Sequence, residues 1–375
     1  MTGTDAAPSS LPSAGPVVIG HRGASGHRPE HTLASYELAA RLGADYLEPD
    51  VVATRDGVLV CRHENEISGT TDIAQRPEFA SYRTTKVVNG AEVTGWFTED
   101  LTLAQLRSLR AVERIPGLRM ANTAYDGEFL VPTLAEVLAL RAEMVVELGR
   151  PIGVYIETKV PSYFASLGLA LEEPLVADLE AAGLADPGDD PSRPAVYLQS
   201  FELGNLRRLR RELGVRHPLV FLTETVGAPW DLQAAGDRRT FDDLLTRGGL
   251  AELAADVEGI GPDKRRVIPW TAEGRLGEPT SLVADAHAAG LVVHPWTFRA
   301  ENAFLPTDFR SPGPDGAPGN LAGELTAYLE AGVDGYFTDH PGPVPVAAPA
   351  AAPQPEPVPA QVAAPGPGNQ PVVQP

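Results

Sequence analysis

The sequence predicts an α/β fold, a (β/α)8 TIM barrel with an insertion after its second strand. Three observations lead there: eight short apolar runs, helical patterns between them, and polar side chains gathered at the carboxyl ends of the runs. The runs are 17–20, 46–52, 154–156, 195–198, 219–222, 257–260, 291–293 and 335–337. Helical patterns cover 31–42, 175–182, 203–213, 241–255, 280–289 and 321–331, and several stop at a glycine: Gly43, Gly183, Gly214, Gly290 and Gly332. Glycine ends helices because it enters the left-handed region without a Cβ clash. The rhythm breaks over 64–120, where a polar, loop-rich stretch (68–98) precedes a helix at 103–109. An insertion at that point of a barrel sits over the mouth, where substrate-selecting loops belong.

The bulk properties narrow the function. The chain has 375 residues and is 43% hydrophobic, enough for a full core. Fifty acidic residues stand against 30 basic ones, a net charge of −20, which argues against a nucleic-acid or anionic-membrane surface. The lone cysteine, Cys61, excludes an intrachain disulfide and a cysteine-cluster metal site, and its strand-like surroundings predict a buried thiol. Residues 1–16 have no basic stretch followed by an apolar one, and no run approaches the ~18 apolar residues of a membrane span. The expectation is a cytoplasmic protein with no transmembrane segment; secretion or a periplasmic home is the alternative. Residues 1–15 read as a flexible leader, 16–341 as the barrel domain, and 342–375, rich in Pro and Ala with Glu356 as the only charge, as a disordered tail.

Candidate chemistry lies at the strand ends. His21 and Arg22 close the first run; the histidine suits acid–base work near neutral pH, and the guanidinium suits a phosphate. Glu48 and Asp50 stand two apart on the second strand, so both face the same way. Two aligned carboxylates inside a barrel need a cation or a proton between them, and oxygen ligands suit Mg²⁺ or Ca²⁺. Asp56–Gly57 predicts a hairpin that returns His63 to the same region. Glu157 and Lys159 repeat the spacing of two, as a third carboxylate and a phosphate ligand, or as a plain salt bridge. Gln199 follows the next run. His294, Trp296 and Phe298 alternate after the seventh, with Trp296 facing either substrate or core. Arg207, Arg208, Arg210 and Arg211 read as a solvated helix face.

These residues form an ordered set: His21–Arg22–Gly23, Pro29–Glu30–His31–Thr32, Glu48–Pro49–Asp50–Val51, Asp56–Gly57 with His63, Ile156–Glu157–Thr158–Lys159, Leu198–Gln199–Ser200–Phe201, His294–Pro295–Trp296–Thr297 and Phe337–Thr338–Asp339. The set resembles the glycerophosphodiester phosphodiesterase family, its longer bacterial members above all, from about residue 16 to 341. The resemblance implies metal-dependent hydrolysis of glycerophosphodiesters, such as glycerophosphocholine and glycerophosphoethanolamine, to glycerol 3-phosphate and an alcohol. It implies His21 and His63 as the acid–base pair, and Glu48, Asp50 and Glu157 as ligands of one divalent cation, Ca²⁺ or Mg²⁺. Arg22 and Lys159 would bind phosphate oxygens, with Gln199 and Trp296 near the glycerol. His31 stands where the family often has Asn; it and His27 read as structural, and Asp339 as ordering the last loop. The competing readings are a phospholipase D-type enzyme acting on lysophospholipid or sphingolipid, a metal-dependent barrel lyase, and a non-catalytic phosphoester-binding barrel. A hydrophobic surface on the 64–120 insertion would favour the lipid reading; the polar content of 68–98 leans against it.

Overall fold

The protein is described by a computed structural model covering residues 15–188 and 194–342. The leader and tail expected from the sequence lie outside the described residues, apart from Gly15 and Gly342. In chain order the strands are β1 (Val17–His21), β2 (Tyr46–Glu48), β3 (Asp50–Ala53), β4 (Leu59–Cys61), β5 (Thr84–Val88), β6 (Ala91–Gly95), β7 (Gly153–Thr158), β8 (Val196–Ser200), β9 (Leu219–Thr223), β10 (Gly259–Pro262), β11 (Val292–Val293) and β12 (Gly335–Thr338). A parallel sheet runs β11-β10-β9-β8-β7-β2-β1-β12, and each of the eight apolar runs contributes to it. Its two ends approach through Asp334 N to Val293 O (3.0 Å) and Phe337 N to Pro295 O (3.1 Å), so the barrel is nearly closed.

Run 46–52 does not form one strand. Pro49 has no N–H to give a ladder and divides it into β2 and β3. Strand β2 pairs with β1 and β7, whereas β3 pairs in parallel with β7 and antiparallel with β4. The β3–β4 hairpin is the one foreseen at Asp56–Gly57, where Gly57 has φ +78°.

The insertion departs from expectation in two ways. Part of the polar stretch forms a second antiparallel hairpin, β5–β6, turning at Asn89–Gly90. The predicted helix at 103–109 is one turn, Leu103–Leu106, and the insertion continues to the 15-residue helix Leu134–Leu148. That helix starts at Thr133 and Glu136, each side chain bonding the other's backbone N–H, a cap worth about 1 kcal/mol. The pattern 241–255 is likewise two helices, Phe241–Leu244 and Arg247–Leu253, because Thr246 caps a new start. Each predicted glycine stop holds, with φ between +67° and +106°.

Strand residues alternate inward and outward, so every second side chain enters the barrel. At the amino ends these are apolar: Val17, Ile19, Tyr46, Tyr155, Tyr197, Val220 and Phe337 form a buried plug. Tyr155 and Tyr197 stack with centroids 4.6 Å apart, and the Tyr155 hydroxyl meets His294 Nδ1 at 3.0 Å. His294 therefore belongs to the barrel floor. One step up the same strands, the inward positions become His21, Glu48, Glu157 and Gln199. The four arginines of helix Leu203–Arg211 are paired with acids, Arg207 and Arg211 with Asp256, Arg208 with Glu172 and Glu173, and Arg210 with Glu258.

Cys61 is fully buried, and burial raises its thiol well above the usual range. A thiol-directed reagent is expected to leave the native protein unmodified and to react stoichiometrically in denaturant; rapid reaction of the folded protein would contradict this burial.

Candidate active site

His21, Arg22, Glu48, His63, Glu157, Lys159, Gln199 and Trp296 all line one cleft of about 520 Å³ at the carboxyl ends of the barrel strands. Asp50 lies just behind it, fully buried. All nine residues expected from the sequence are thus at one site, each on a strand or in the segment just after one.

Glu48 ends β2, Asp50 starts β3 and Glu157 lies opposite Asp50 on β7. One carboxylate oxygen from each lies within 4.8 Å of the others. Burial, reinforced by Asp50 and Glu157, pushes Glu48 well above the usual carboxylate range. Burial and the Asp50 charge raise Glu157 to about 8 against the pull of Lys159. Burial would raise Asp50 too, but Lys159 and the bond from His31 overcome it and keep the group ionised. Its Oδ1 is buried without a hydrogen-bond partner. Three converging carboxylates with an oxygen left unsatisfied fit a hard divalent cation, which takes oxygen ligands and relieves the repulsion.

The surroundings hold these oxygens in place. The Arg22 backbone N–H donates to Glu48 Oε2 at 2.6 Å from a residue with φ +58°, a left-handed conformation that costs a non-glycine residue on the order of 1 kcal/mol. The Gln199 amide donates to Glu48 Oε1 at 3.3 Å, and its own Oε1 is buried and unpartnered. His31, also left-handed at φ +52°, bridges Asp50 Oδ2 (2.8 Å) and the Tyr36 hydroxyl (2.6 Å). Its structural role is specific: it fixes a carboxylate of the cluster. Asparagine, which tolerates left-handed backbone well, suits the same position.

Positive charge sits beside the cluster. Lys159 Nζ lies 2.7 Å from Glu157 Oε1, so the salt bridge allowed by the sequence does form, within the cleft wall. The Arg22 guanidinium donates to Glu30 Oε2 at 3.1 Å and lies 3.6 Å from Asp50. His21 and the part-exposed His63 face this region, and both are held low, first by burial and next by Arg22. His21 contacts Asp339, and His63 contacts Glu64.

Sequence reasoning missed several groups. Asp339 reaches beyond its own loop to His21 Nδ1 at 2.6 Å. Phe201, Glu224, Trp230, Asp263 and Arg299 also line the cleft. The β5–β6 turn crosses to the far rim, where Asn89 Nδ2 donates to Glu202 at 3.2 Å and Gly90 packs against Trp230. A Cβ at Gly90 would lie 2.6 Å from that ring, so only glycine permits the approach. The Asn–Gly pair between two β-rich runs was the available signal. Trp296 faces the cleft, its Nε1 donating to Gly261 O at 2.8 Å and its ring edge-on to Phe201.

Known proteins share this architecture. A glycerophosphodiester phosphodiesterase of Arabidopsis thaliana is 32% identical over 346 residues, covering 88% of this chain and 86% of its own. One from Bacillus subtilis is 29% identical over 329 residues, covering 87% and 84%. A phosphodiesterase of Oleispira antarctica, solved with the product sn-glycerol-3-phosphate, superposes with a TM-score of 0.53 at 21% identity, covering 87% of this chain and 94% of that one. Residues 21–343 match the model of the glycerophosphoryl diester phosphodiesterase family. With that match across the whole barrel, the chain belongs to the glycerophosphoryl diester phosphodiesterase family and is a phosphoric diester hydrolase.

Proposed function

We propose that this protein hydrolyses small glycerophosphodiesters, glycerophosphocholine and glycerophosphoethanolamine among them, to glycerol 3-phosphate and the free alcohol. The observation that carries the reading is the convergence of two histidines, two cations and three carboxylates on one cleft. Glu48, Asp50 and Glu157 would hold one divalent cation, Ca²⁺ or Mg²⁺. When bound it supplies positive charge that offsets the charge building on the phosphoryl oxygens.

Arg22 and Lys159 bind the phosphodiester anion and stabilise it as it becomes more negative. One of His21 and His63 removes the proton of the attacking oxygen, and the other gives a proton to the departing alcohol. Both imidazoles are neutral in the free cleft, as a base must be. The substrate's negative charge offsets Arg22 and raises whichever imidazole has to be protonated. Gln199, with its amide oxygen unpartnered, accepts from a glycerol hydroxyl, and Trp296 covers the glycerol carbons. Residues 16–341 form this catalytic domain, between the leader and the Pro/Ala-rich tail.

The test is release of glycerol 3-phosphate from both head-group esters, with Ca²⁺, with Mg²⁺ and with EDTA. Turnover of both esters that EDTA abolishes is expected. A folded protein inert toward both with either metal would sink the reading.

A further inference from the structure

Each cleft histidine has a carboxylate at its Nδ1. Asp339 Oδ1 lies 2.6 Å from His21, and Glu64 Oε1 lies 2.5 Å from His63. An imidazole that donates through Nδ1 keeps a proton there and leaves Nε2 as the atom that exchanges protons with a ligand. Both carboxylates are held in turn by arginines five residues apart in the insertion. Arg114 donates to Glu64 from Nη1 (3.0 Å) and Nη2 (2.6 Å), and to Glu30, the same carboxylate that takes Arg22. Arg119 donates from Nη2 to Asp339 (2.5 Å), from Nε to Glu301 (2.5 Å) and from Nη1 to the Ser25 carbonyl (2.9 Å). The stretch between them is tied to itself: Glu113 accepts from the Ile115 N–H and from Asn122 Nδ2, both at 2.9 Å. Asn122 also reaches the Ser25 carbonyl at 3.2 Å. Neither arginine lines the cleft.

We propose that residues 113–122 are a brace that orients both histidines at once, with Glu64 and Asp339 as positioning residues. The insertion is then part of the proton-transfer apparatus as well as the rim. This rests on the reading of His21 and His63 as the acid–base pair. The geometry favours it over plain stabilisation of the fold, because each arm of the brace ends on the Nδ1 of a cleft histidine and a surface ion pair has no such target.

The test compares wild type with Glu64→Gln, Asp339→Asn, Arg114→Ala, Arg119→Ala and Arg119→Lys. Two esters of glycerol 3-phosphate are used, that of choline and that of p-nitrophenol, and Tm is measured alongside. Choline needs a proton to leave; p-nitrophenolate does not. Both carboxamide variants are expected to lower kcat on the choline ester by about 10²–10³-fold with KM little changed. The variant serving the general acid recovers on the nitrophenyl ester, while the one serving the base loses equally on both. Arg114→Ala follows Glu64→Gln, and Arg119→Ala follows Asp339→Asn more weakly, since Arg299 still holds Asp339 at 2.7 Å. Arg114→Ala also raises KM by loosening Glu30 and Arg22. Arg119→Lys restores most of kcat, and this pair decides the matter if Asp339→Asn does not fold. Losses that are equal on both esters in every variant and scale with the fall in Tm overturn the brace, as does kcat within about threefold of wild type in both carboxamide variants. Wild type inert on both esters would instead sink the hydrolase reading and the brace with it.

Discussion

His63→Ala is expected to lower kcat for glycerophosphocholine by about 10²–10⁴-fold while leaving divalent-cation affinity unchanged. The imidazole is part exposed at the end of the β3–β4 hairpin, so its removal opens little core and spares the fold. Arg22, Lys159 and the three carboxylates stay where they are, and with them the proposed binding of substrate and metal. The loss should therefore fall on kcat and leave KM nearly alone, the pattern of a group that acts in the transition state. Glycerol 3-phosphate release and a calorimetric Ca²⁺ titration on the same preparation check both halves. A variant turning over within tenfold of wild type would remove His63 from the acid–base pair. Weakened Ca²⁺ binding would show that it supports the metal cluster instead.

The second large effect is expected on the carboxylates in metal-free protein. Glu157 takes up its proton near pH 8 in the fold against an ordinary value of 4.5, so the folded state binds more protons than the unfolded chain between those limits. The Glu157 contribution to the stability of metal-free protein in EDTA, read as the difference between wild type and Glu157→Gln, should fall as pH rises through that window, because holding the cluster charged without a counter-ion becomes progressively costlier. Ca²⁺ or Mg²⁺ at 100 times its Kd should add about 2.7 kcal/mol, release protons at pH 7 and raise Tm. Glu157→Gln should remove that falling contribution, raise the metal-free Tm at pH above 7, and abolish both the metal response and turnover. Proton release and Tm unaffected by either cation would mean that the cluster is satisfied by a shared proton and binds no metal.

The barrel was legible because parallel strands buried on both faces read as apolar runs, and because several helices announce their ends with a glycine. The residues of the candidate site were legible for a related reason. A period of two places Glu157 with Lys159 and picked out Glu48 with Asp50, which Pro49 sets on separate strands but leaves in one cluster, and carboxylates on an inward face have few uses other than metal or proton chemistry. What escaped reading has no local signature. Arg119 and Asp339 are 220 positions apart and meet only once the barrel curls round. Asp339 had the appearance of a loop acid because its partner, His21, is at the other end of the chain. The β5–β6 hairpin is a different case: Asn89–Gly90 was in view, but the Thr- and Lys-containing strands around it carry no apolar alternation, since both faces are largely exposed. Helix Leu134–Leu148 had its cap in plain sequence and was masked by the irregular stretch before it.

The aromatic plug has a consequence for traffic. Among the described residues, Tyr46, Tyr155, Tyr197 and Phe337 fill the barrel axis beneath the cleft, which opens at the carboxyl-end face. In the proposed reaction, diester, water and both products would use that face, across whose far side the β5–β6 turn reaches. Under the proposed reaction, both fragments of a cleaved diester would leave towards the face by which the diester entered, not in opposite directions along the barrel axis.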